Sequence, residues 1–264
     1  MAAVATAFAC IALANSAQAI EGGQSYYLKG YRDFMSGVLS APGVTVRSDS
    51  VAYSGSEHSD TRAGRLGVQQ RFSSEVFGLT VVTPYRILGG HYAFAARVAG
   101  SRVDAERTLS TRLGTTFREE TFTGFNDPVI SPLVIGWHAG KLHWNFATAV
   151  WIPVGSYDVT RMVNTGKNYW AWSPQFGATY FDPATGLDVS AAAIYVFNYE
   201  NPETRYKSGD VFHLDFAVGR YILPNVTVGA VGYMMQQMSA DEGTGNLLGE
   251  RKARVTNFTP GPMP

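Results

Sequence analysis

Cysteine is nearly missing. The 264-residue chain carries one, Cys10, which excludes an intrachain disulfide and a cysteine-ligated metal. Charge is sparse, at 16% of residues, and it balances at 21 Lys+Arg against 21 Asp+Glu. A neutral chain offers no electrostatic footprint for nucleic acid. No uninterrupted apolar run of about 18 residues follows the N-terminus, which argues against membrane-spanning helices. It does not exclude spanning strands, because polar lumen residues interrupt every strand of a membrane barrel. Enzyme signatures are missing as well: there is no G-x-S-x-G, H-E-x-x-H, P-loop or dinucleotide fingerprint. His138 and His143 flank a short turn and could approach each other, but no further ligands lie nearby in sequence, so neither a metal nor a cofactor is expected.

What is present is alternation. Between Gly186 and Gln237, apolar residues recur with period two: Leu187, Val189, Ala191, Ala193, Tyr195 and Phe197, then Phe212, Leu214, Phe216 and Val218, then Val226, Val228 and Ala230. Strict alternation marks strands with two unlike faces. Extended along the chain, the pattern predicts strands at 43–53, 69–85, 91–105, 125–138, 142–154, 169–181, 187–197, 211–222 and 226–238, with a short tenth at 253–259. The connectors alternate long and short. Long polar stretches at 54–68, 106–124, 155–168, 198–210 and 239–252 face short turns at 86–90, 139–141, 182–186 and 223–225. A soluble sandwich would not sort its loops this way. The expectation is an all-β, antiparallel up-and-down transmembrane barrel over residues 20–259, with short periplasmic turns and long extracellular loops.

Residues 1–19 read as a signal peptide, with an apolar run from Ala2 to Ala14 and an A-x-A cleavage pattern at Ala17-Gln18-Ala19; the alternative is a short buried helix. Glycine (28 residues) and aromatics (13%) suit a twisted sheet with interfacial girdles. Trp137, Trp144, Trp151, Tyr169, Trp170, Trp172, Tyr180 and Phe181 gather near strand ends. They read as interfacial belts or as ordinary β-core aromatics. Pro132 lies inside an expected strand and marks a bulge. If the apolar set of 211–222 faces lipid, His213 and Asp215 face the lumen, either as a solvated wall or as solute contacts.

Several ordered segments then carry a family resemblance. They are Phe125-Asn126-Asp127-Pro128 with Ser131-Pro132, Gly136-Trp137-His138, Pro153-Val154-Gly155-Ser156-Tyr157-Asp158, Asn164 to Trp170, Asn198-Tyr199-Glu200-Asn201, Tyr206-Lys207-Ser208-Gly209, His213-Leu214-Asp215, and Gly232-Tyr233 followed by Gln237 and Asp241. Over residues 25–252 the chain resembles the meta-pathway phenol-degradation family of outer-membrane barrels. The resemblance implies a transporter or pore for small hydrophobic, aromatic compounds, with no catalytic residue to carry over. The expected partners are outer-membrane lipid, a small hydrophobic solute and, during biogenesis, the barrel-assembly machinery; oligomeric state is left open. Lumen candidates are His213, Asp215 and Asn198. Loop candidates, from resemblance and position, are Tyr157, Asn164, Asn168, Tyr169 and Tyr206. An outer-membrane lipid hydrolase and a plugged structural barrel are the alternatives. Two departures stand out: no Lys or Arg precedes Glu21, and the chain stops at Thr259-Pro260-Gly261-Pro262-Met263-Pro264. Those prolines predict an irregular tail at 260–264, a truncated end and a seam beside the first strand.

Overall fold

The structure is a computed structural model; it describes residues 5–7, 25–61, 64–223, 226–244 and 254–263. Most of the expected signal segment, with Cys10, lies outside these. The architecture is one antiparallel sheet with an up-and-down strand order. A three-residue strand, β1 (Ala5–Ala7), lies parallel to β2 (Gly43–Thr61). From β2 the path runs through β3 (Gly64–Ile87) and β4 (Gly90–Thr111). It skips β5 (Gly114–Phe125), which among the described residues pairs only with β4, and continues through β6 (Val129–Ala139), β7 (Leu142–Trp151) and β8 (Ala171–Asp182). It ends through β9 (Leu187–Asn198), β10 (Val211–Leu223), β11 (Val226–Gln237) and β12 (Arg254–Met263).

Two of the expected long loops are strands instead. β2 and β3 stay paired out to Thr61↔Gly64, and β4 and β5 out to Thr111↔Gly114. Polar residues at 54–68 and 106–124 read as loop because period-two alternation with an apolar face is absent there. A ribbon projecting past the core needs no continuous apolar face, and backbone pairing continued from the sheet below holds it. The strand is interrupted at 126–128, so β4 pairs with β5 above that level and with β6 below it. The bulge expected at Pro132 is present: the register shifts between Ile130 and Leu133 against β7, and between Ala93 and Ala95 against β6. At the opposite end every connector is short. The β3–β4 turn has Leu88 at φ 49° and Gly89 at φ 81°, the two left-handed residues of a type I′ hairpin.

The C-terminal expectation needs correcting. Residues 260–263 are not an irregular tail; they belong to β12, which pairs with β11 from Gln236↔Arg254 to Thr227↔Met263. Pro260 and Pro262 are two residues apart, so both missing amides fall on the same edge of the strand, a pattern an edge strand tolerates. The seam is there: among the described residues no pairing joins β12 to β2.

Burial alternates as expected. On β10, His213, Asp215 and Ala217 are buried while Phe212, Leu214, Phe216 and Val218 are not. On β9, Asp188, Ser190, Ala192 and Ile194 alternate with outward Val189, Ala191 and Ala193. Outward aromatics form two groups. Trp137 stacks on Trp144 beside a short turn, and Trp172 stacks on Phe197 at the loop end. Along β7 the two groups are six residues apart (Trp144, and Val150 opposite Trp172), or roughly 20 Å at 3.4 Å per residue. With the strand tilt of about 35–45° in a membrane barrel this is a height of roughly 15 Å, which falls within an apolar band of about 25 Å.

Candidate functional site

The interior is not empty. Residues 25–40 enter the curled sheet and bond to strands far apart in its order. Tyr31 donates to Asp49 on β2 (2.9 Å), and Arg32 reaches Asn145 on β7 (2.7 Å). The Gly37 amide donates to Thr179 on β8 (2.8 Å) and the Met35 amide to Asp188 on β9 (3.1 Å). Asp215 on β10 is the densest anchor. Its carboxylate accepts from the Tyr27 hydroxyl (2.5 Å), the Gly30 amide (3.1 Å) and the Arg32 amide (3.1 Å). Burial, then the Asp215 charge, hold the Tyr27 phenol well above its usual pKa, so it stays a donor.

Close approach requires missing side chains on the wall. A Cβ on Gly177 would sit 2.4 Å from the Ser36 carbonyl oxygen, and one on Gly219 2.6 Å from the Phe34 ring. Near the loop end Tyr26 stacks on Trp151 at 5.4 Å and meets Tyr169 edge-on at 5.1 Å. The one proton of the Tyr26 hydroxyl is shared between Asp127 (2.9 Å) and the Tyr169 carbonyl. Asp127 also accepts from the amides of Gly155 (2.7 Å) and Lys167 (2.6 Å), which ties the loop over the mouth.

Beside this segment a cavity of about 940 Å³ remains. It runs from Thr80 and Val134 near the turn end to Leu66, Arg107 and Met162 near the ribbon. Val68, Phe72, Val76, Val103, Ala105, Val129 and Trp151 give it an apolar wall. Its size lies at the upper end of the usual range for small-molecule sites.

The protein thus combines a barrel sheet with an apolar exterior, a segment in its lumen and a cavity beside that segment. The model of the family described as "Putative MetA-pathway of phenol degradation" matches residues 45–263. The chain belongs to this family. Within the family match fall all the inward strand residues that grip the lumen segment; the segment itself, at 25–40, precedes it. Among solved structures, that of the COG4313 outer membrane channel from Pseudomonas putida F1 matches with a TM-score of 0.54 at 14% identity, covering 83% of this chain and 81% of that one. At that identity the likeness establishes the fold. No curated protein matches by sequence.

The sequence-derived residues of this family member fall into three groups. His213 and Asp215 face the interior, as expected, and both meet the lumen segment. Asp215 is bonded as above, and His213 lies edge-on to Tyr27 (5.0 Å) with Nε2 3.1 Å from the Ser25 hydroxyl. Asn198, also interior, closes the following loop by donating to the Gly209 carbonyl (2.9 Å) while its amide donates to Asp210 (3.1 Å). Tyr157, Asn164, Tyr169 and Tyr206 line the cavity. Tyr157 accepts from Asn201 (3.0 Å), Asn164 holds the backbone of Asp158, and the Tyr206 hydroxyl donates to Asp241. Asn168 does not line it; at φ 61° it turns the chain and donates to Asn201 (3.0 Å).

Trp151 and Tyr169 do not belong to the exterior girdle. They are 7% and 1% exposed, packed inside around Tyr26. Trp151 ends β7 on an inward position, and Tyr169 lies in the loop two residues before β8; nearness to a strand end alone assigns neither side. His138 and His143 do meet, Nδ1 to Nδ1 at 2.7 Å across the β6–β7 turn. Sequence reasoning missed residues 25–40 altogether. Their signal was three tyrosines and Arg32 in a short stretch lacking period-two alternation, which points to a packed but non-strand segment.

Proposed function

We propose that this protein is an outer-membrane channel that admits small hydrophobic, aromatic molecules and performs no reaction on them. The observation that carries the reading is the apolar-walled cavity beside a lumen-filling segment, inside a sheet whose outer face is apolar. Family membership and the channel title of the structural neighbour support it. Residues 1–19 act as the export signal, the short turns face the periplasm and the β2–β3 and β4–β5 ribbons project outward. Solute enters between the ribbons and the loop at 152–170, and residues 25–40 restrict its passage. In this reading His213 and Asp215 hold the restricting segment, and Tyr157, Asn164, Tyr169 and Tyr206 form the entrance.

The test is uptake of the aromatic dye N-phenyl-1-naphthylamine by intact Gram-negative cells, whose surface excludes it. Expression of the full chain is expected to raise dye fluorescence, and removal of residues 25–40 to raise it further. Folded protein in the outer membrane with no increase in either case sinks the reading.

One observation favours the lipid-hydrolase alternative: the Ser25 hydroxyl lies 3.1 Å from His213 Nε2, and Ser25 lines the cavity. A serine–histidine catalyst also needs a group that orients the imidazole through its other nitrogen. Among the described residues His213 Nδ1 has no hydrogen-bond partner. Labelling of Ser25 by a fluorophosphonate would favour the hydrolase over the channel.

A further inference from the structure

The charges lining the cavity are unevenly matched: six basic residues, Arg32, Arg47, Arg97, Arg107, Arg161 and Lys167, against two acidic ones, Asp33 and Asp127. Asp127 is consumed by its three donors, Tyr26 and the amides of Gly155 and Lys167. Burial raises the Asp33 carboxyl to about 7, so near neutrality it carries only part of a charge.

Within this field two arginines are placed together. Arg47 on β2 and Arg97 on β4 both register with Gly78 on β3, so they flank a position with no side chain. Both guanidinium groups turn to the same ring, 5.4 Å and 5.6 Å from the centre of Tyr31. Arg47 has a carboxylate, Asp49, at 2.6 Å. Arg97 has none among the described residues and lies against the Tyr31 ring. Cations grouped in a partly enclosed site repel one another unless an anion joins them.

The same rung continues into apolar wall. Arg97 registers with Val129 on β6, and Val129 with Trp151 on β7. Two strand spacings separate Arg97 from Trp151, roughly 10 Å at 4.8 Å each. An aromatic ring joined to a carboxylate by a short alkyl chain spans that interval.

We propose that the cavity selects amphipathic anions, specifically aryl-alkanoic acids, with the carboxylate received by Arg97 beside Arg47 and the ring lying against Val129 and Trp151. The inference rests on the channel reading and narrows its solute class. A planar guanidinium takes a carboxylate bidentately, which a neutral aromatic cannot reproduce.

The experiment is calorimetric titration of the purified full chain at pH 7.5 with 4-phenylbutyrate and with 4-phenylbutanol, which share ring and chain but not charge. The acid is expected to bind at least roughly tenfold tighter, as a charge-assisted bidentate pair implies. Arg97→Gln is expected to abolish that preference while leaving the alcohol unchanged, and Arg97→Lys to retain part of it. Equal binding of acid and alcohol, or a preference that survives Arg97→Gln, overturns the assignment while the dye-uptake reading stands. Binding of neither compound by folded protein, together with absent dye uptake, overturns both.

Discussion

Removing the Asp215 carboxylate is expected to release residues 25–40 from the lumen. Asp215 is 1% exposed and accepts three hydrogen bonds, from the Tyr27 hydroxyl and the amides of Gly30 and Arg32. In Asp215→Ala all three donors lose their acceptor in a buried place. Hydrogen bonds to a charged group are worth about 1.5–3 kcal/mol each, and stranded donors cost about 1–3 kcal/mol when they cannot reach water. The effects are not additive, because Tyr27 and Arg32 move together and the vacated space admits water. A net loss of about 3 kcal/mol is a fair central value, and it shifts the docked-to-undocked ratio by roughly 150-fold at 1.4 kcal/mol per factor of ten. The assay is thiol accessibility: Ser36→Cys in a Cys10→Ala background, timed with a hydrophilic maleimide. Ser36 is buried against β9, its hydroxyl donating to the Ala191 carbonyl, so labelling reports undocking. With Asp215 present labelling should be slow; with Asp215→Ala it should accelerate by on the order of a hundredfold. Equal rates in the two backgrounds, in protein that remains folded, would show that Asp215 does not anchor the segment.

Three other outcomes are expected. Arginine at Leu214 or Phe216, outward neighbours of Asp215, should cost roughly 2–4 kcal/mol in unfolding titrations from lipid bilayers if these positions lie near the midplane; a cost under about 0.5 kcal/mol would place them outside it. Gly177→Ala should destabilise docking by about 1–3 kcal/mol, since its Cβ would meet the Ser36 carbonyl at 2.4 Å, and the Ser36→Cys labelling rate should rise in step. Burial raises the Asp33 carboxyl to about 7, from 3.8 when solvated, and so favours its protonated form. Its contribution to docking is therefore fully present below pH 3.8 and is lost as pH rises through 7. The labelling rate should climb across that window and flatten in Asp33→Asn; an unchanged slope in the variant would refute the assignment.

The strands from 187 to 237 could be read directly because their two faces meet different surroundings, and the outward set of β10 kept its assigned side. The bulge at Pro132 was readable for a local reason, the missing amide. The ribbons at 54–68 and 106–124 were not, because no sustained amphipathic alternation is written into them. Register parity explains the misplaced Trp151: nearness to a strand end gives height on the barrel, and side requires counting from a neighbour whose face is known; Tyr169, in the loop before β8, is drawn inward by Tyr26 instead. Residues 25–40 left the weakest trace. Their structure is dictated by partners on the strands, Asp49, Asn145, Thr179, Asp188 and Asp215, so no window of the segment contains the reason for its shape.

The break at 126–128 leaves β5 attached to the sheet by one side only. The loop at 152–170 takes up the vacant side: the Ser156 amide donates to the Phe125 carbonyl (2.8 Å) and the Met162 amide to Glu120 (3.0 Å). That same loop supplies Tyr157, Met162, Val163 and Asn164 to the cavity wall. One stretch of backbone is thus both splint and doorway. Insertions or deletions there would alter ribbon rigidity and entrance width together, so relatives that vary in this loop should differ in the size of molecule they admit and in the heat they withstand, with the two properties changing as a pair.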